Sequence, residues 1–378
     1  MAGEEQPGEG PDEKGFDIGR RGFLAAGAGA FLCTIGGQKV LVEKAGDAAK
    51  ADALARKVKR PAALSAAGPQ ASPGANPVDQ IKFGTPKPAP GGSVREYWIQ
   101  ATAPRWDIIP SRPRRDYWHG NPLSGPSAFR AFTYQQMTPG FASPMGRAAM
   151  PGPTLECEVG DVLRVNFRNA LPARYAQAVT MHPHGVRYTP DYDGSYIGDF
   201  TRAGGYIAPG EEFTYTWEAT PESVGAWPYH DHGPNHTINT MRGLFGAIIV
   251  RPKGAPRPDV EPVLFLHSLL PSITGLRRAY DCINGRSFAG NTPNIVARAG
   301  DSVAMHVIGM DNNFHTFHVH GHRWKVHGNG PSTDDQTLGP GETITAAWTE
   351  ENPGRWLYHC HVFSHQDNGM VGFYFVNP

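Results

Sequence analysis

From Ser93 to the C-terminus the chain is a succession of short runs in which apolar and polar residues alternate, broken by Gly and Pro turns. The runs recur in a fixed order. PGPTLECEVGDVLRVNFRN (151–169) corresponds to NTPNIVARAGDSVAMHVIG (291–309), and MHPHG (181–185) to FHVHG (317–321). IAPGEEFTYTWEA (207–219) corresponds to LGPGETITAAWTE (338–350), and WPYHDHGPNHTINTMRGLFGAIIV (227–250) to WLYHCHVFSHQDNGMVGFYFV (356–376). One unit used twice predicts an all-β fold of two tandem sandwiches, 93–253 and 254–378. RPKGAPRPDVEP (251–262), dense in Pro and charge, is the joint between them.

The pattern before Ser93 is different. Arg20 and Arg21 precede the apolar, Ala/Gly-rich run GFLAAGAGAFLCTIGG, which is too short and glycine-rich for a membrane span and reads as a twin-arginine-type export signal over 1–37. Periplasmic or extracellular location follows, with no membrane span in the mature protein. Residues 38–92 are rich in Ala, Lys, Pro and Gly and poor in large apolar groups before Ile81 and Phe83, so they read as a linker. Within it EKAGDAAKADALARKVKR is a candidate helix with no evident partner.

Composition narrows the function classes. Basic and acidic residues balance at 35 each, so no strong field draws nucleic acid or anionic lipid; small or neutral partners fit better. Histidine is abundant, at 16, against four cysteines. The histidines cluster as His-x-His: His182/His184, His230/His232, His318/His320 and His359/His361. In a strand, i and i+2 share a face, so each pair is a two-pronged ligand. Cys360, between His359 and His361, must then face the other way, toward a second site. His315, His365 and Met370 complete around it the His₂Cys plus weak thioether set of a blue-copper centre. The first repeat keeps His236 and Met241 but has Asp231 in place of the cysteine and Val179 in place of His315, so no such site forms there. His236 and Met241 read as ordinary packing or surface residues.

These motifs, HPHG, YHDH, HTFHVHGH and HCHVFSHQDNGM, resemble the four copper-binding motifs of multicopper oxidases, and the layout resembles the two-domain, small-laccase type with type 1 copper in domain 2. The resemblance covers Ser93–Pro378 and implies cupredoxin-like Greek-key sandwiches holding four copper ions per chain. It places His182 and His318 on type 2 copper, and His184, His230, His232, His320, His359 and His361 on the type 3 pair. His315, Cys360, His365 and Met370 would hold type 1 copper. The implied reaction is one-electron oxidation of phenols or aromatic amines, with electrons passing through Cys360 to His359 and His361 and dioxygen reduced to water. The resemblance also implies a homotrimer with clusters at subunit interfaces, and puts Asp193 near the cluster as a proton donor; an Asp that only makes the Asp-Gly turn is the alternative. Tyr188 is a redox-active candidate or a packing residue. Cys157 and Cys282 are a disulfide or two buried thiols. Oxidation of Cu(I) or Fe(II), nitrite reduction and non-catalytic copper binding are the competing functions.

Overall fold

The computed structural model describes residues 30–61 and 81–378. In domain 1, strands β3 (Val94–Thr102), β4 (Thr133–Met137), β5 (Leu155–Glu158), β6 (Val162–Asn169), β7 (His182–Pro183), β8 (Glu212–Glu218), β9 (Gly225–His230) and β10 (Phe245–Arg251) form two sheets. Their orders are β8-β6-β3-β4 and β5-β10-β9-β7. Alternation decides which face is inside: on β6, Leu163, Val165 and Phe167 are buried, while Arg164 is exposed and Asn166 and Arg168 are partly so. They meet Tyr215, Trp217, Tyr229 and Ile248 in a single core between the sheets.

Domain 2 repeats the plan with β11 (Val263–Leu269), β12 (Tyr280–Ile283), β13 (Ile295–Arg298), β14 (Ser302–Gly309), β15 (His315–Val319), β16 (Asp335–Leu338), β17 (Thr343–Thr349), β18 (Gly354–Cys360) and β19 (Val371–Asn377). The sheet orders are β12-β11-β14-β17 and β13-β19-β18-β15-β16. The first matches its domain 1 counterpart strand for strand; the second does so and adds β16 at one edge. The parallel pairs also correspond: β3 with β6 and β11 with β14, β5 with β10 and β13 with β19. Gly160 and Gly300 hold matching turns at φ 93° and 95°, where a side chain would be strained. A third apolar cluster, with Trp106, Met150 and Phe245 from domain 1 and Phe265, Tyr280 and Phe288 from domain 2, joins the two sandwiches.

The N-terminal piece departs from the sequence reading. Phe31–Ile35 (β1) and Gln38–Val42 (β2) pair as a hairpin, followed by helix α1 (Asp47–Ala55). This folded unit overlaps both the expected leader (1–37) and the expected linker (38–92). Its small apolar residues cannot form a core alone, but Cys33, Ile35, Val42, Ala48 and Ala51 pack on Ile238 and Met241 of domain 1 and Ile273 of domain 2. Asp52 accepts two bonds from Arg242 Nη1, at 2.9 and 3.1 Å, and further bonds from Gln177 and Asn235. The helix expected within EKAGDAAKADALARKVKR is present, and these contacts are its partner. Ile81–Gly92 contains neither strand nor helix. Arg20 and Arg21 lie outside the described residues. Among the described residues no helix is long and apolar enough to cross a membrane.

Candidate metal centres

In domain 1, β7 pairs with β9 so that His182 faces His230 directly across the ladder. His184 and His232 lie two residues farther along the same side of each strand. The four rings gather: His182 lies 5.1 Å from His184, 5.5 Å from His230 and 5.2 Å from His232, centroid to centroid. Domain 2 repeats this on β15 and β18, where His318 faces His359. His318 lies 5.1 Å from His320, 5.3 Å from His359 and 5.5 Å from His361.

Backbone contacts aim these rings. His182 gives its Nδ1–H to the Asp193 carbonyl at 2.7 Å and His318 to the Asp334 carbonyl at 2.6 Å, leaving Nε2 free in each. His230 and His359 do the same to the carbonyls of Asp231 and Cys360. The Nε2 atoms then converge, His184 with His230 at 3.0 Å and His320 with His359 at 3.1 Å. Burial, reinforced by the neighbouring rings, pushes His184 down to about 4; burial also brings His359 to about 4, and His230, His232 and His320 shift the same way. Neutral imidazoles are what a metal requires. His232 Nδ1 is buried with no hydrogen-bond partner, as a nitrogen awaiting an ion would be.

The two sets do not merge within the chain. Among the described residues, three groups could hold an ion, His182/His184/His230, His318/His320/His359 and His315/Cys360/His365, and none mixes the domains. Asp193 sits beside the first set, its Oδ1 3.3 Å from His182 Nδ1. Burial works against its charge, but His182 and Ser195 outweigh it and hold the carboxyl below the usual range. The Tyr188 ring is 5.7 Å from that of His182.

Cys360 closes β18 with its side chain in the domain 2 core, away from the histidines that flank it. Its Sγ lies 3.8 Å from His315 Nδ1 and 3.6 Å from His365 Nδ1. His365 lies on helix α4 (Phe363–Asp367), which follows α2 (His236–Met241) and α3 (Pro271–Thr274) along the chain. Met370 is buried in the same cluster, and its carbonyl accepts the Cys360 N–H at 3.1 Å. Burial disfavours the thiolate, yet His315 and His365 outweigh it and bring Cys360 down to about 6. Burial likewise opposes a charge on His315, but Asp311 and then Cys360 overcome it and hold the imidazole up at about 9. Asp311, bonded to His315 Nε2 at 3.1 Å, was not singled out by the sequence reading. An acidic residue four places before a ligand histidine was its only signal.

In domain 1 the equivalent position is closed by hydrogen bonds. Asp231 is fully buried and accepts from Thr180 N, Gly233 N and Asn239 Nδ2 at 2.7, 3.2 and 2.9 Å. Met241 packs beneath the N-terminal hairpin, and His236 stacks on His232 at 4.6 Å. Cys157 and Cys282 are separate buried thiols, so no disulfide joins them.

Two sequence profiles, each described as multicopper oxidase, match residues 146–255 and 266–378, together more than half of the chain. A probable nitrite reductase-hydroxylamine oxidoreductase fusion protein of Kuenenia stuttgartiensis is 32% identical over 248 residues, 60% of this chain and 27% of the relative. The Homo sapiens ferroxidase HEPHL1 is 28% identical over 272 residues, 60% of this chain and 23% of the relative. The chain thus spans about a quarter of the length of these curated relatives. The crystal structure of a blue copper oxidase from Nitrosomonas europaea superposes with a TM-score of 0.57 at 26% identity, covering 75% of this chain and 86% of that one. Buried thiol and imidazole donors of this kind suit copper. Two matching domains and the donor sets they carry lead to one conclusion: the chain belongs to the multicopper oxidase family.

Proposed function

We propose that the protein is a laccase-like oxidase that takes single electrons from phenols or aromatic amines and reduces dioxygen to water. The observation that carries this reading is the strand end at 359–361, where the Cys360 thiol faces His315 and His365 while the His359 and His361 rings join the cluster set. Copper bound at the two places would supply one-electron acceptance at the thiolate and multi-electron delivery to dioxygen at the histidines. The chain's own contribution is the short covalent path from Cys360 to its neighbours. His315, Cys360, His365 and Met370 form the type 1 set; His182 and His318 the type 2 set; His184, His230, His232, His320, His359 and His361 the type 3 set.

Because each domain presents half of the histidines and, among the described residues, neither half is completed by the other domain, we assign the cluster to a homotrimer in which domain 1 of one copy meets domain 2 of the next. Asp193, whose carboxylate Oδ1 lies 3.3 Å from His182 Nδ1, passes protons toward that cluster. Export by the Arg20–Arg21 signal delivers the protein to the periplasm or beyond. Small reductants and dioxygen are its partners.

Oxidation of Fe(II) or Cu(I) is the second reading, favoured by the similarity to a protein named ferroxidase. Nitrite reduction fits less well: it would use type 1 copper in the first domain, where Asp231 is locked by hydrogen bonds. The tests are oxygen uptake by copper-loaded protein with a phenol, with Fe(II) and with Cu(I), and nitric oxide release from nitrite and a reductant under anaerobic conditions. Turnover fastest on the phenol supports the proposal; faster turnover on a metal ion, or nitric oxide release, replaces it.

A further inference from the structure

Basic and acidic residues balance along the whole chain, but the fold does not spread them evenly. Of the side chains gathered around Cys360, His315 and Met370 are 0% exposed, whereas His365 is partly exposed and gives that set its solvent-facing edge. Arg278 stands beside this edge. Its Nη2 donates to Asn368 Oδ1 at 3.2 Å, and Asn368 follows His365 by three residues, the spacing of neighbours on one helical face. The guanidinium carbon lies 4.7 Å from the centre of the Tyr280 ring and 5.4 Å from that of Phe288, contacts that hold a cation in place. The Tyr280 hydroxyl donates to the Pro126 carbonyl of domain 1 at 3.2 Å, and Arg114 bonds to Gly125 and Ser127 on either side of that proline. Arg115 and Arg277, next to them in sequence, are exposed. Two segments far apart in the chain thus bring arginines to the region of Tyr280. Several acids there are committed: Asp107 to Arg112 and Ser127, and Asp281 to Ser268 and Asn368. Asp367, on α4, is exposed.

We infer that Arg278 anchors an anionic group on the electron donor, so that the His365 edge selects phenols or aromatic amines that carry a carboxylate or sulfonate. The inference rests on the laccase-like reading above and narrows its substrate class. Three physical effects act together. A guanidinium presents a planar fork of donors that matches a carboxylate and forms charge-assisted bonds with it. Because Asn368 and the two rings already hold Arg278, little side-chain freedom is lost when an anion binds. The arginines also set up a positive field, which concentrates anionic donors near His365 and opposes the approach of Fe(II) or Cu(I). An anion held on Arg278 leaves the rest of a small donor within about one helical turn of the His365 ring.

The test compares 4-hydroxy-3-methoxyphenylacetate with its amide on copper-loaded protein, because the methylene insulates the phenol ring from the charge and leaves the two equally oxidisable. KM for the acid should be about fivefold below that for the amide at low salt, the upper range for an exposed ion pair. Arg278→Gln should close that gap and Arg278→Lys should keep most of it. Salt at about 1 M, where the screening length is about 3 Å, should close the gap in the unmodified protein, a result that needs no variant to fold. Binding without turnover is read by saturation-transfer NMR: phenylacetate, which has no hydroxyl to oxidise, should bind the unmodified protein more strongly than phenylacetamide does, and Arg278→Gln should remove the difference. Equal KM values for acid and amide in the unmodified protein, or a gap that persists in Arg278→Gln or at high salt, overturns the inference. Phenol turnover without preference for the acid overturns only this inference, whereas turnover on Fe(II) or Cu(I) with none on either phenol overturns the reading beneath it as well.

Discussion

Replacing Asp52 by Ala should release the N-terminal hairpin from the body of the protein. The Asp52 and Arg242 side chains are 7% and 6% exposed, and Arg242 Nη1 contacts both carboxylate oxygens. Removing the anion leaves a guanidinium buried with little beyond the Phe132 ring, 4.5 Å from its centre, and strips the amides of Gln177 and Asn235 of an acceptor. Breaking a buried pair by deleting one partner costs about 3–5 kcal/mol, because the remaining charge stays desolvated. Undocking of residues 31–58 caps the loss at the hairpin's own docking free energy. Proteolysis within 31–58, read beside the urea midpoint of the whole chain, therefore separates local release from global unfolding. The double variant Asp52→Leu/Arg242→Met should recover most of the protection, since an apolar pair of similar volume replaces the ions. Loss of less than about 1 kcal/mol in Asp52→Ala with unchanged protease resistance would refute the assignment of this pair as the hairpin's anchor.

Three further outcomes follow. His184 and His359 sit at about 4 when folded, below the ~6.5 of an unfolded chain, so the unfolded state binds more protons in that interval. Metal-free protein should lose stability as pH falls from about 6.5 toward 4, and copper uptake should weaken over the same range; urea midpoints and copper titrations at stepped pH check both. Gly372→Ala should destabilise domain 2 by about 1–3 kcal/mol, because the added methyl would collide with the Tyr358 ring, whose hydroxyl is held by the Pro293 carbonyl. Gly246→Ala should behave alike in domain 1, where Tyr229 occupies the matching place; thermal unfolding of the two variants checks the equivalence of the repeats.

What the sequence made legible was whatever a strand's two-residue period writes into it. Alternation at Leu163, Val165 and Phe167 and the repeated GD turns gave both sandwiches, and His-x-His gave both histidine sets, since neighbours on one strand need no knowledge of the fold. The opposed facing of Cys360 followed from the same period. The hairpin at Phe31–Val42 was hidden because its few small apolar residues form a core only with Ile238, Met241 and Ile273, far along the chain. Asp311 was hidden for a related reason: nothing in its spacing distinguishes a carboxylate under a ligand imidazole from one on a surface turn, and only the pairing of β11 with β14 brings Ser268 to hold it.

The central claim is that one strand end serves two copper sites, and copper counting with absorption spectroscopy on the unmodified and Cys360→Ser proteins tests it most directly. The unmodified chain should be intensely blue and carry four copper ions, while Cys360→Ser should lose the colour and one ion and keep the histidine-bound set. A colourless unmodified protein after copper loading, or blue absorption that survives the loss of Cys360, would contradict the account.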